Sequence, residues 1–373
     1  MGPALLSRRA FLLTPAVAAL SCRRRRGTGY DGYAYVANEE GQAVAVVDLN
    51  SFTLARHIRL PGSPTVVASA GDAVYAFTPA SGAVHEISPA SLTLRRSIQV
   101  ARTAVSMRAS IDGSAIWVLC RQPRALARLD LTRLRVQTQI PLPLDPVDFD
   151  LSPVAEEAVV TFGEGGSVGL LDLTRRECRL VELGRPLSLA RFRSDGRQVL
   201  VGNAEQRLLS VVDLRMARLI VHLPLAVQPR NFCFKSDGGQ LLITGLGMDA
   251  LVVVYPYTTE VAETVLAGRE PGFMAECATA DADYVFVTNP QSGQVTILDI
   301  DSRKVVAVVA VGAGPAYVTL TPDGQYALVL NRDSGDMAVI RLSAIAARRS
   351  RSGPLFTMVP VGSRPVSAVI RPV

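Results

Sequence analysis

Tyr284-Val285-Phe286-Val287-Thr288-Asn289, with Gln294-Val295-Thr296-Ile297-Leu298-Asp299-Ile300 just beyond it, decides the fold. β-Branched and aromatic residues fill both stretches, and Pro290, Ser292 and Gly293 stand between them, so the pair reads as two strands joined by a polar turn. A more variable strand and a Gly/Pro turn follow. The next strand ends near Asp323-Gly324, a pair that closes tight hairpins. Outward in both directions the unit repeats. The latter strand of the opening pair closes at Asp48, Ser88, Asp130, Asp172, Asp213, Tyr255, Asp299 and Arg341, at intervals of 40 to 44 residues. A period of that length made only of strands predicts β-propeller blades, and eight recurrences predict eight of them. Asp112-Gly113, Asp195-Gly196 and Asp237-Gly238 repeat the hairpin signal; acids recurring at a turn mark geometry rather than a general base.

Two phrases carry a family likeness. One stands as Tyr35-Val36-Ala37-Asn38 and, most faithfully, as Tyr284 to Asn289. The other, Gly-x-x-Pro before an apolar strand and Pro-Asp-Gly, stands as Gly312-Ala313-Gly314-Pro315 with Thr321-Pro322-Asp323-Gly324. Over residues 32–373 the repeats resemble the YVTN family of bacterial β-propellers. The resemblance implies the fold and leaves the chemistry open, because fold does not imply function. Seven blades are commoner in that family. A ring of eight is similar to the haem-d1 domain of cytochrome cd1-type nitrite reductases.

The ends of the repeat array predict how the ring closes. The first unit begins with its second strand near Gly32, and the last is followed by a surplus strand, Val366 to Arg371, after Gly362-Ser363-Arg364-Pro365. That strand is expected to complete blade 1 as its innermost member, removing the open edge. The expected fold is therefore all-β: an eight-bladed β-propeller of four-stranded antiparallel blades, closed by the C-terminal strand.

Alternation along the innermost strands predicts the channel wall. Positions two and four before each turn are apolar and are expected between blades. The alternate face carries Arg108, Asp150, Arg191 and Glu276 at its middle level and Arg193, Lys235 and Arg371 near the turns. Asp150 is expected between Arg108 and Arg191. Two readings apply to this row: charges that satisfy one another, or a small-anion site held by guanidinium forks. Loops at the mouth of the channel add Arg102, Arg124, Arg185, Arg207, Arg269 and Arg364, interspersed with Glu39, Glu40, Asp145, Glu164, Glu205 and Glu270.

Charge and composition exclude several functions. The chain has 373 residues and a formal charge of +6. Six arginines, Arg8, Arg9 and Arg23 to Arg26, lie before residue 27, so the remainder is neutral and a basic nucleic-acid-binding domain is not expected. At 49% hydrophobic and 19% charged, the body is not a disordered chain. It contains no apolar run of the roughly 18–20 residues that a membrane span needs.

Residues 1–22 read as an export address. Ser7-Arg8-Arg9-Ala10-Phe11-Leu12 resembles the twin-arginine signal, and a short apolar stretch follows to Leu20. Ala19-Leu20-Ser21-Cys22 resembles a lipobox, which implies lipidation at Cys22; cleavage after Ala16-Val17-Ala18 by ordinary signal peptidase is the rival reading. Residues 23–31 form a basic linker, a solvated spacer or a contact with anionic lipid. Residues 32–373 form the propeller domain. The expected location is the periplasm, or the membrane through an N-terminal lipid.

Catalytic signatures are sparse. His57, His85 and His222 fall on outer or third strands as surface or edge residues, so a metal centre is not expected. Cys120, Cys178, Cys233 and Cys277 lie on separate blades and read as small buried residues. No nucleophile elbow, P-loop, dinucleotide fingerprint or c-type haem motif is present. No cofactor is assigned. The expected function is a binding scaffold for an envelope protein or small ligand at the channel mouth. Two alternatives stand beside it. One is a lactonase-like hydrolase using Asp145, Asp148 and Arg102. The other is a carrier of a tetrapyrrole or quinone, for which Tyr317 near the mouth is the available ligand. An insertion, Ser343 to Gly353, is expected on the face opposite the mouth, as a basic loop or a docking point containing Arg348, Arg349 and Arg351.

Overall fold

Strands of four to eight residues with apolar alternation cannot bury both faces alone, so each sheet must pack on its neighbours. In the computed structural model, which describes residues 29–184, 186–279, 282–346 and 353–373, the strands form eight four-stranded antiparallel sheets. Blade 1 consists of Gly32–Asn38, Ala43–Asp48 and Thr53–Arg59 with Pro365–Pro372 as its innermost strand. Blades 2 to 8 then follow in chain order, each running from its innermost strand outward. Their innermost strands are Val66–Ala70, Thr103–Ala109, Asp148–Leu151, Leu187–Phe192, Gln228–Phe234, Met274–Ala278 and Pro315–Leu320. The expected closure is present: Gly32 pairs with Pro372, Tyr35 with Val369 and Asn38 with Pro365.

The core is divided by the ring. Eight apolar clusters occur among the described residues, and each joins two successive blades, blade 8 to blade 1 included. Met107, Phe149, Ala190, Phe192, Cys277 and Val318, all from the face expected between blades, lie in these clusters. Every sheet is thus covered on both faces, and the hydrophobic stabilisation is distributed around the ring rather than gathered at one centre.

The repeated acids shape turns. Asp48, Asp130, Asp172 and Asp299 each accept two backbone N–H groups from the turn that follows, at 2.8–3.3 Å. At the innermost turn Asp112, Asp195, Asp237 and Asp323 accept the N–H two residues on. Gly113, Gly196, Gly238 and Gly324 sit there at φ of 65° to 70°, the left-handed region that glycine enters without steric cost. These turns line the bottom face. The loops between second and third strands, and the links from one blade to the next, line the mouth face. The insertion opens on the bottom face with a helical turn, Ser343–Ala346; Arg348, Arg349 and Arg351 lie outside the described residues.

Candidate functional site

The innermost strands of blades 3, 4 and 5 bring Arg108, Asp148, Asp150 and Arg191 together on the channel wall. The ladder differs from expectation. Asp148, not Asp150, lies between the guanidiniums, 3.5 Å from Arg108 and in a short hydrogen bond with Arg191. Asp150 is 3.7 Å from Arg108 and accepts the Phe192 N–H at 3.0 Å. The two acids are two residues apart on one strand and share its face, so alternation alone does not say which bridges. Arg108 also donates from Nε to the Phe149 carbonyl at 2.7 Å and lies over the Phe149 ring. Burial raises the Asp150 carboxyl above the ordinary range, against the pull of Arg108 and Arg191. The four charges satisfy one another and tie three blades across the wall.

Closer to the bottom face the cations are also engaged. Arg193 is nearly buried; it grips Asp195 at 2.7 and 2.9 Å, donates to Gln198 and the Pro256 carbonyl, and stacks on Tyr257 of the next blade. Lys235 meets Asp283 at 3.0 Å and Asp301 at 2.7 Å, hydrogen bonds that hold its ammonium above the usual lysine range. Arg371 donates to Ser69 Oγ and the Gly71 carbonyl, both at 3.0 Å, sealing blade 1 to blade 2. Glu276 is raised mainly by burial, and one of its carboxylate oxygens is buried without a hydrogen-bond partner.

The mouth face behaves differently. Arg364 is held by Glu39 at 2.8 Å and Glu40 at 3.0 Å, and Arg207 reaches the Ala226 carbonyl at 3.4 Å. Arg185 lies outside the described residues. Arg269 is exposed and takes no side-chain partner among the described residues. At blade 3, Arg102, Arg121, Gln122, Pro123, Arg124 and Asp145 line one depression. Only Arg124 is paired there, with Asp145 at 3.8 Å. No hydrogen bond or ion pair ties the Arg102 and Arg121 side chains among the described residues.

At this depression the second strand of blade 3 runs on into the hairpin. Counted between cross-strand partners, Asn38 with Ala43 in blade 1, Asn289 with Gln294 in blade 7 and Cys120 with Ala125 in blade 3, each hairpin has four intervening residues; in blade 3 Arg121 and Gln122 prolong the strand. In blades 1 and 7 the second strand ends on an asparagine that reaches back to the preceding blade. Asn38 Nδ2 donates to the Val361 carbonyl at 2.7 Å, and Asn289 Nδ2 to the Ala267 carbonyl at 2.9 Å. Cys120 holds that position in blade 3, and the carbonyl of Gln122, two residues on, accepts the Arg102 N–H at 2.7 Å. Sequence reasoning passed over Arg121. The two arginines flanking Gln122-Pro123 in this hairpin were the available signal.

The remaining titratable groups do not converge. His85 was expected at a surface or edge and is buried instead, bonded to Thr78 at 3.0 Å and Ser97 at 2.8 Å; burial lowers its pKa. His222 bonds Ser210 at 2.8 Å, and His57 is exposed. Cys120, Cys178, Cys233 and Cys277 are free thiols, and burial pushes Cys120 up to about 12 and Cys178 to about 11. Tyr317 donates to the Ala368 carbonyl at 3.3 Å and lies 4.6 Å from the Phe273 ring. Asp145 and Arg102 share the mouth depression, whereas Asp148 is committed to the wall cluster. Among the described residues no group of three or more His, Cys, Asp or Glu could hold a metal ion, and no helix is long and apolar enough to cross a membrane.

Comparisons with known proteins place this geometry among propellers. No family model matches the chain. A stretch of 149 residues, 39% of the chain, is 25% identical to the seven-bladed beta-propeller protein Rv1057 of Mycobacterium tuberculosis, and covers 36% of that relative's length. Among solved structures, dihydro-heme d1 dehydrogenase NirN in complex with DHE superposes with a TM-score of 0.75 at 16% identity, covering 95% of this chain and 78% of that one. Apo AztD from Citrobacter koseri superposes with a TM-score of 0.68 at 12% identity, covering 91% and 97%. Identities this low speak to the fold alone, and the fold they share with this chain is the β-propeller.

Proposed function

We propose that the protein is a rigid binding scaffold that engages a protein or small ligand of the cell envelope at the mouth face of its ring. One contrast carries this reading: the channel-wall cations are all bonded within the fold, while the mouth face keeps cationic groups without partners among the described residues. A group already bonded within the fold must lose that bond before it can hold a ligand, and an unpartnered guanidinium need not. The leader supports an exported location, through Arg8 and Arg9 as a twin-arginine signal and Cys22 as a lipid attachment point. All three lie outside the described residues. A lactonase-like centre has less support, because Asp148 is neutralised away from Asp145 and Arg102.

The test is hydrogen exchange on complexes captured from the native envelope with the full chain. Slowed exchange in the mouth loops 39–42, 79–82, 163–166 and 204–207 is the expected outcome. Protection confined to the bottom turns would refute the reading.

A further inference from the structure

We infer that the blade 3 depression is a binding site for a compact oxyanion group, a phosphate monoester or a dicarboxylate, held by Arg102, Arg121 and Arg124. The inference rests on the mouth-face reading above and gives it a location and a ligand chemistry. Three guanidiniums share the depression with a single carboxylate, that of Asp145, which is 76% exposed and 3.8 Å from Arg124. The local balance is two positive charges in excess. Like charges brought together at one surface repel, and a bound anion is what relieves them.

The donors suit that ligand. Each guanidinium offers a planar fork of N–H groups and no acceptor, matching the paired oxygens of phosphate or carboxylate. At the loop tip Pro123 has no N–H, and the Arg102 N–H is already spent on the Gln122 carbonyl at 2.7 Å. That bond fixes the loop against the link from blade 2 to blade 3. Arg102 and Arg121 thus stand on a rigid base with their heads unengaged. Register shifts fall at the mouth end of the innermost pairing in blades 1, 5, 6 and 8 as well as here, where Thr103 and Ala104 pair with Gln122 and Cys120; in blade 3 Arg121 and Gln122 also prolong the second strand into the mouth loop. The irregularity also lies where a repeat protein is expected to carry function, in the loops of one face.

Isothermal titration of the full chain at low ionic strength tests the site, with methyl phosphate, inorganic phosphate and succinate as separate probes. Saturable binding is expected, weakening as salt is raised. The Arg102→Ala/Arg121→Ala double variant is expected to lose at least tenfold in affinity with an unchanged melting temperature, since neither side chain makes a contact that holds the fold. Arg218→Ala, on the outermost strand of blade 5, is expected to bind like the wild type. Binding by phosphates alone, or by succinate alone, identifies the ligand class, and binding by both identifies a general oxyanion site. Absence of heat with all three probes at millimolar concentration overturns the inference, as does affinity that survives the double variant. Mouth-loop protection in the exchange experiment alongside either failure would overturn only the anion site and leave the scaffold reading standing.

Discussion

Asn289 illustrates what a motif residue does in this ring. Its Nδ2 donates to the Ala267 carbonyl of the preceding blade, and its Oδ1 accepts the Thr296 hydroxyl at 2.7 Å. Both bonds are buried, so truncation leaves an acceptor and a donor without partners. Asn289→Ala is expected to lower unfolding free energy by about 2–3 kcal/mol, read as a shift in urea midpoint at constant slope. The residue was legible as part of a fold signature but its task was not, because the bonded carbonyl lies 22 residues back on another sheet. Arg193 makes the same point. Alternation places it toward the channel, yet Asp195 and Tyr257 capture it, and Tyr257 comes from the following blade. Spacing within a strand reports which face a residue occupies; it carries no information on what the neighbouring blade puts opposite.

Strands and turns were the most readable level. The eight positions read as strand ends are the last residues of the third strands, from Ala43–Asp48 through Asp336–Arg341, and at the five that are Asp the carboxylate caps the turn. The wall formed by blades 3 to 5 was readable as to membership and not as to pairing. Its two carboxylates have different environments, which separates their expected effects. Asp148 bridges both guanidiniums, so Asp148→Asn strands positive charge in the wall and is expected to cost about 3 kcal/mol. Asp150 bears a burial penalty on its charge, and an amide oxygen still accepts the Phe192 N–H. Asp150→Asn is therefore expected to stay within about 1 kcal/mol of wild type, because removing a poorly solvated charge offsets the lost ion pair. Parallel denaturant titrations at neutral pH check the contrast, and equal losses would show that the two acids share the load.

At the scale of the molecule, closure is a two-sequence agreement between Gly32–Asn38 and Pro365–Pro372. Neither strand has another inner partner, and the cluster between blades 8 and 1 includes Ala368 and, packed against it, Ile370. Removing residues 363–373 exposes that cluster and leaves an unpaired strand at the axis. The truncated chain is expected to lose its cooperative thermal transition, whereas melting like the full chain would mean the ring does not depend on its seam. The closing strand was predictable because the count of strands left one over at the end and one short at the start. The depression at blade 3 was not, because its arginines come from a link and a hairpin of ordinary length, and which arginines stay unpaired is decided by what the neighbouring segments place opposite them. The seam has a further consequence. Gly32 faces Pro372, and the Val373 N–H reaches the Asp31 carbonyl at 3.4 Å, so both tails leave from beneath. A support that grips the polypeptide by either tail acts as a stalk, leaving the arginine-lined hollow aimed away from its anchorage.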